Sequence, residues 1–119
     1  MKCLVVDDSN ATLFVTKKHM NTLGFDVLEA KTIGQCMTQL GEHDFDVHVI
    51  DIFLGEESGV DLIRQLKAQN DETPIIVLTG SDDINKEKEL KALGIADYLQ
   101  KPTTLEKLHV SLTKIGLIK

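Results

Sequence analysis

Five polar side chains stand at the ends of short apolar runs, or just beyond them: Asp7, Asp8, Asp51, Thr79 and Lys101. Three are carboxylic acids, one carries a hydroxyl group and one an ammonium group. Ligands of open parallel sheets bind beyond the carboxyl ends of the strands. If the first and third strands are neighbours, the three carboxylates converge in one crevice, with the Thr79 hydroxyl and the Lys101 ammonium on its rim.

Three carboxylates in one crevice need a counter-charge. Two carboxylates about 4 Å apart repel each other by ~4 kcal/mol at an effective dielectric constant of 20. A cluster of oxygen ligands with room for water suits Mg²⁺. A carboxylate facing such an ion can attack a phosphoryl group and form an aspartyl phosphate. The remaining phosphoryl oxygens could then pair with the Lys101 ammonium and the Thr79 hydroxyl.

Each of these residues also has a purely structural interpretation. Asp8 could cap a helix, Asp51 and Thr79 could form turns, and Lys101 could be a solvated loop charge. The shared position favours a site, because all of them fall at the same edge of the predicted sheet.

The apolar pattern that must position these residues alternates between two periods. Short runs predict strands at Cys3–Val6, Val27–Leu28, Val47–Ile52, Ile75–Leu78 and, more weakly, Tyr98–Leu99. Apolar residues between the runs recur at helical spacing. Five strand–helix units in strict alternation predict an α/β fold. Its doubly wound parallel sheet is expected to be covered by helices on both faces.

Capping residues set the expected helix boundaries. The predicted helices are Asn10–Leu23 between Ser9 and Gly24, one from Thr32 to Gly41, one around Leu62–Leu66, Ile84–Leu93 before Gly94, and one opened by a capping box of Thr103 and Glu106. The fourth helix has a thin apolar stripe. One interpretation is a helix whose polar face is solvated and carries ion pairs such as Glu87–Lys91. The other is a loosely held helix that can shift.

Length and charge restrict the classes of function. The 119 residues, 42% hydrophobic and 27% charged, predict one domain spanning 1–119. A formal charge of −6 argues against direct binding to nucleic acid or anionic lipid. Neither a membrane span of ~20 apolar residues nor a signal peptide is recognisable, so a cytoplasmic location is expected.

The cysteines and histidines show no metal-binding spacing. Cys3 and Cys36 are expected to be buried free thiols. The histidines are expected on helix surfaces or in loops, and they are His19, His43, His48 and His109.

Taken in order, the polar motifs resemble the response-regulator receiver domain of two-component signalling, in its single-domain, chemotaxis-type form. The motifs are Asp7-Asp8-Ser9, Asp51 with Gly59 eight residues on, Thr79-Gly80, and Tyr98-x-x-Lys101-Pro102. The resemblance covers essentially the whole chain. It implies a flavodoxin-like receiver fold, with a five-stranded parallel sheet in the order 2-1-3-4-5 and five helices.

The resemblance also implies a role for each matching acid. Asp51 would be the phospho-acceptor, and Asp8 would coordinate Mg²⁺ directly. Asp7 would act as the outer acid, either directly or through water. The backbone carbonyl of Phe53 would supply the remaining protein ligand of the metal.

Three further residues would form the switch. Thr79 resembles the hydroxyl that follows the phosphoryl group, and Lys101 the ammonium that pairs with it. Tyr98 resembles the aromatic residue that turns inward, although a half-buried strand aromatic is the alternative. The Lys101–Pro102 peptide bond resembles one that is cis in relatives.

Three departures from the family pattern lie after Asp51 and Thr79. Leu54-Gly55 stands where Met-Pro is common, and glycine makes that loop more flexible than proline would. Phe53 is bulky and Ser81 is small at positions that face the attacking water in the family. Phe53 is therefore expected to change the lifetime of the phosphoryl group.

The implied function is a phosphorylation switch. A histidine kinase or phosphotransfer protein would donate the phosphoryl group to Asp51, and the fourth helix, fifth strand and fifth helix would then repack. Catalysis would be limited to the chain's own phosphotransfer and autodephosphorylation. If the chain ends at Lys119, output is expected through contact with a downstream protein, without nucleic acid or membrane insertion.

Three other functions fit the sequence less well. A haloacid-dehalogenase-like phosphatase would show a D-x-D spacing, whereas Asp7 and Asp8 are adjacent. Flavin binding needs a phosphate loop after the first strand, where the two acids would repel a phosphate. A phosphorylation-independent scaffold is disfavoured because the acceptor and switch residues are all present.

Overall fold

The strands of the main sheet send alternate side chains into two different helical layers. The structure is a computed structural model that describes residues 1–80 and 83–119. Within those residues the strands are β1 (Lys2–Val6), β2 (Asp26–Ala30), β3 (Val47–Ile50), β4 (Phe53–Leu54), β5 (Glu57–Ser58), β6 (Ile75–Thr79) and β7 (Asp97–Gln100). The helices are α1 (Asn10–Thr22), α2 (Ile33–Glu42), α3 (Gly59–Ala68), α4 (Ile84–Ala92) and α5 (Leu105–Ile115).

The main sheet is parallel throughout the described residues and runs in the order β2-β1-β3-β6-β7. Numbered by its own strands, this is the expected order 2-1-3-4-5, so the α/β, flavodoxin-like prediction is confirmed. In β1, Leu4 and Val6 pack towards α2, α3 and α4, whereas Cys3 and Val5 pack towards α1 and α5. The central strands are thus buried on both faces, which explains their continuous apolar runs.

Most helix caps lie where the sequence predicts them. Ser9 caps α1, and Thr32 accepts a hydrogen bond from the Gln35 N–H at the start of α2. Gly24 follows α1 with a φ of +97°, a conformation that glycine adopts without a side-chain clash.

Two predicted boundaries are wrong. Gly41 does not stop α2, which continues to Glu42, because a single glycine costs a helix only about 1 kcal/mol. The cap of α5 is Thr104, whose side chain accepts a hydrogen bond from the Lys107 N–H. Thr103 lies one residue too early for that bond, so the proposed box with Glu106 does not form.

A short antiparallel hairpin of β4 and β5 follows β3 and was not predicted. The third apolar run therefore ends as a sheet strand at Ile50 rather than at Ile52. The hairpin connects the end of β3 directly to α3, beside the edge of the sheet where the acids lie.

His48 also contradicts its prediction. It lies buried in β3, not on a helix surface or in a loop. Its Nε2 lies 3.2 Å from Asp71 Oδ2, in the connection between α3 and β6. Burial lowers the pKa of His48, and this outweighs the opposing effect of the Asp71 carboxylate.

Candidate functional site

The carboxyl ends of β1 and β3 bring two acids side by side. Val6 of β1 is paired in register with Ile50 of β3, so Asp7 and Asp51 follow at neighbouring points of the sheet edge. The Asp51 N–H donates to the Val6 carbonyl at 2.9 Å, which extends the ladder by one residue. The side-chain positions of both acids are therefore set by the sheet itself.

Asp8 completes a trio of carboxylates. One carboxylate oxygen each from Asp7, Asp8 and Asp51 lies within 4.8 Å of the other two. Asp7 and Asp51 are buried, whereas Asp8 is exposed. The convergence expected from the strand ends is thus present, with one acid open to solvent.

Lys101 bridges the two buried acids. Its Nζ lies 2.7 Å from Asp7 Oδ2 and 2.7 Å from Asp51 Oδ2. These hydrogen bonds raise the pKa of Lys101, although burial alone would lower it. Burial raises the pKa of Asp7 despite the lysine beside it. The Lys101–Pro102 peptide bond is cis, as the resemblance implies.

Backbone N–H groups hold the other oxygen of each buried acid. The Phe53 N–H donates to Asp51 Oδ1 at 3.0 Å, and the Ser9 N–H donates to Asp7 Oδ1 at 2.9 Å. Each carboxylate is therefore held between a backbone donor on one oxygen and Lys101 on the other. Such charge-assisted bonds fix orientation in a partly buried site.

The first residue of α3 packs closely against the Asp51 backbone. A Cβ atom at Gly59 would overlap the Asp51 carbonyl oxygen, so only glycine fits there. The Gly59 N–H also donates to the Ile52 carbonyl at 2.8 Å. Gly59, noted in the sequence eight residues after Asp51, therefore permits the close approach of the start of α3.

The remaining predicted residues lie on β4, β6 and β7. Thr79 is fully buried at the carboxyl end of β6. Tyr98 is half-buried on β7, opposite Val77, and packs against the core beneath α4. The Phe53 side chain is 57% exposed on β4. Ser81, which was predicted to face the attacking water, lies outside the described residues.

The donor set of the acidic trio fits a hard divalent cation. All three side chains offer carboxylate oxygens, and the exposed Asp8 leaves one side open to water. Mg²⁺ prefers such oxygen ligands and keeps several waters. Among the described residues, no other group of three or more acids, histidines or cysteines is close enough to hold a metal ion.

Sequence reasoning missed Glu57. Its Oε1 accepts a hydrogen bond from the Ile33 N–H at 3.0 Å, which joins β5 to the start of α2. The helix start at Ile33 was predictable from Thr32, but the contact joins residues 24 positions apart and leaves no local pattern.

A family model described as "Response regulator receiver domain" matches residues 3–113. The cell cycle transcriptional regulator CtrA of Caulobacter vibrioides is 32% identical over 86% of this chain and 44% of its own length. The acid tolerance regulatory protein ActR of Sinorhizobium medicae is 33% identical over 92% and 56%. The chain spans between a quarter and about half of the curated relatives it matches most strongly.

Solved structures of similar size share the fold. A response regulator from Thermotoga maritima has a TM-score of 0.86 and 32% identity, covering 96% of this chain and 95% of its own. The chemotaxis response regulator CheY4 of Vibrio cholerae has a TM-score of 0.86 and 27% identity, covering 96% and 97%. No helix among the described residues is long and apolar enough to cross a membrane.

Proposed function

This chain belongs to the response regulator receiver domain family, and we propose that Asp51 is the phospho-acceptor of a two-component signalling switch. The observation that carries the proposal is the bridging of Asp7 and Asp51 by Lys101, beside the exposed carboxylate of Asp8. This arrangement combines an oriented nucleophile, a metal-binding oxygen cluster and a cation for the transferred group.

The phosphoryl donor is a histidine kinase or phosphotransfer protein carrying phosphohistidine. One carboxylate oxygen of Asp51 forms a new P–O bond while the P–N bond of the phosphohistidine breaks. The electron pair of the P–N bond stays with the imidazole. Asp51 is already oriented by the Phe53 N–H and by Lys101. Positioning and charge neutralisation are the main demands of phosphoryl transfer.

The acidic trio and the Phe53 carbonyl would hold Mg²⁺. When bound, the ion supplies positive charge to a phosphoryl oxygen. Lys101 supplies a second positive charge, and its ammonium moves from Asp51 Oδ2 to the phosphoryl group. Attack by water on the aspartyl phosphate releases inorganic phosphate and returns Asp51 to its free form, so the chain catalyses only its own phosphotransfer and autodephosphorylation.

Phosphorylation changes the surface formed by α4, β7 and α5 through Thr79 and Tyr98. The added charge, about −1.5 to −2, draws the Thr79 hydroxyl towards the phosphoryl group. Tyr98 turns into the space beside Thr79, and the surface of α4, β7 and α5 repacks. A downstream protein shifts this equilibrium only if it binds the two packings unequally. We place this signalling in the cytoplasm, in keeping with the buried free thiols of Cys3 and Cys36.

Intact mass spectrometry with acetyl phosphate and Mg²⁺ tests the proposal. The wild-type chain should gain about 80 Da, the mass of one phosphoryl group. Asp51→Asn should gain nothing under the same conditions. Equal modification of both proteins would exclude Asp51 as the acceptor, and continuous hydrolysis of phosphomonoesters would support a phosphatase instead.

A further inference from the structure

The hydrogen bond between Glu57 and Ile33 joins the candidate site to a helix that contributes no residue to it. Glu57 lies in β5, and Ile33 is the first residue of α2. The Glu57 carboxylate is exposed, yet its Oε1 accepts the Ile33 N–H at 3.0 Å. The contact therefore ties the hairpin of β4 and β5 to α2.

The hairpin and the residue directly after it approach the site at three points. The Phe53 N–H orients Asp51 Oδ1, and Gly59, the first residue of α3, packs against the Asp51 carbonyl. At the tip, a Cβ atom on Gly55 would lie 3.6 Å from Asp8 Oδ2. Any displacement of the hairpin would thus change the surroundings of both Asp51 and Asp8.

The tip of the hairpin has little stiffness of its own. The two strands contribute only two residue pairs, and Gly55 adopts a φ of +66°. Glycine is the residue with the greatest backbone freedom, and isolated hairpins of this length are marginal in water. An external anchor is therefore needed to hold one position of the tip.

The start of α2 provides a fixed anchor. The Thr32 side chain accepts from the Gln35 N–H, and the Gln35 side chain accepts from the Lys31 N–H. The buried Cys36 packs the helix into the core. These bonds leave the Ile33 N–H for Glu57, and a carboxylate is favoured at the N-terminus of a helix.

We propose that Glu57 is a positioning residue for phosphoryl acceptance, because it anchors the β4–β5 hairpin over Asp51 and Asp8 through the N-terminus of α2. This inference rests on the proposed function of Asp51. Glu57 touches neither the acceptor nor the metal-binding oxygens, so it acts through the hairpin. Loss of the anchor leaves Asp51 in place but weakens the orientation of its Oδ1.

Amide hydrogen exchange without Mg²⁺ or phosphoryl donor tests the positioning directly. In Glu57→Ala the Phe53 N–H should exchange about 2- to 10-fold faster, the range expected for losing one hydrogen bond. The Ser9 N–H, bonded to Asp7 on the other side of the site, should be unchanged. Glu57→Gln keeps an oxygen acceptor and should behave nearly as wild type. Glu56→Ala, an exposed neighbour, is the matched control.

A second pair of variants removes the donor instead of the acceptor. Ile33→Pro deletes the N–H at the first helical position, where proline is well tolerated after the extended Thr32. Ile33→Ala keeps the N–H and controls for the lost side chain. Relative to Ile33→Ala, Ile33→Pro should accelerate Phe53 exchange as Glu57→Ala does. The combination of Ile33→Pro with Glu57→Ala should add nothing further.

Phosphorylation by acetyl phosphate gives the functional readout. Glu57→Ala and Ile33→Pro should be phosphorylated about 2- to 10-fold more slowly than wild type and Glu56→Ala. Wild-type rates in Glu57→Ala, or unchanged Phe53 exchange, would overturn the inference while leaving Asp51 as the acceptor. Failure of the wild-type chain to accept a phosphoryl group from acetyl phosphate would instead contradict the proposed function.

Discussion

The ammonium nitrogen of Lys101 lies 2.7 Å from Asp51 Oδ2 and equally close to Asp7 Oδ2, across 50 and 94 positions of sequence. One cation therefore bridges two buried carboxylates that follow different strands and offsets part of their negative charge. The same cation is the group proposed to pair with the phosphoryl group, so Lys101 has an anionic partner in each state of the switch.

Removal of this cation should make stability depend on magnesium. Lys101→Met leaves the Asp7 and Asp51 carboxylates without their counter-charge, and we expect a loss of about 1–3 kcal/mol in unfolding free energy. Added Mg²⁺ should restore more of that stability in the variant than it adds to wild type. Urea unfolding with and without Mg²⁺ measures both effects.

Lys114→Met is the matched control for Lys101→Met. Lys114 Nζ lies 3.1 Å from Asp97 Oδ2, away from the acidic trio. The loss of unfolding free energy in Lys114→Met should be the same with and without Mg²⁺. A magnesium dependence as large in Lys114→Met as in Lys101→Met would contradict the assignment of the trio as the cation site.

A methyl group at Gly59 should damage the site more than the rest of the fold. In Gly59→Ala the Cβ atom meets the Asp51 carbonyl oxygen and the Ile52 Cα, both backbone atoms that cannot move aside. We expect a loss of about 1–3 kcal/mol in unfolding free energy and slower phosphorylation by acetyl phosphate.

Gly41→Ala provides the comparison for Gly59→Ala. Gly41 lies within α2, and a Cβ atom there meets no other atom within 4 Å. This variant should gain about 0.5–1 kcal/mol, since alanine favours a helix over glycine. If Gly59→Ala were as stable as Gly41→Ala and phosphorylated at the wild-type rate, the close packing of Gly59 on the Asp51 backbone would be disproved.

Much of this arrangement follows from local patterns. The alternation of strands and helices predicts a parallel sheet covered by helices on both faces, and the polar residues at strand ends predict the meeting of Asp7 and Asp51. The strand order came from the family resemblance, because apolar runs do not specify which strands pair. Gly59 was noted for its spacing, but the carbonyl contact that requires glycine is visible only in three dimensions.

The missed features depend on contacts between distant parts of the chain. His48 lies in an apolar run, and its Nε2 pairs with Asp71, 23 residues away, a contact that no local pattern of the sequence predicts. The Glu57–Ile33 bond spans 24 residues. The cap of α5 shifts by one residue because Thr103 and Thr104 are equivalent caps by residue type.

Acidification should destabilise the fold through His48. The pKa of His48 is lower in the folded protein than its ordinary value of 6.5, so the unfolded chain binds the proton more readily. The contribution of neutral His48 to the free energy of unfolding is fully present above pH 6.5. It is lost as the pH falls towards and through the folded-state pKa of His48. Urea unfolding at pH 7.5 and pH 5.5 should show a larger loss in wild type than in His48→Gln.

His109→Gln, on the exposed side of α5, controls for the removal of a histidine as such. It should retain the wild-type pH dependence. A pH dependence in His48→Gln equal to that of wild type would show that His48 does not carry the effect.

Phe53 should lengthen the life of the phosphoryl group. Its exposed ring stands two residues after Asp51, and we expect a bulky apolar side chain there to obstruct an approaching water. Phe53→Asn keeps the backbone N–H that orients Asp51 and replaces only the ring. Its dephosphorylation should be several-fold faster than that of wild type, measured as loss of the phosphoryl mass after donor removal. Equal rates would remove the idea.

The most direct measurement locates the phosphoryl group within the chain. After treatment with acetyl phosphate and Mg²⁺, borohydride reduces an aspartyl phosphate to homoserine, which peptide mass spectrometry identifies by position. We expect homoserine at residue 51, with Asp7 and Asp8 unmodified. Reduction at Asp7 or Asp8, or no homoserine anywhere in a chain that has gained a phosphoryl group, would contradict it.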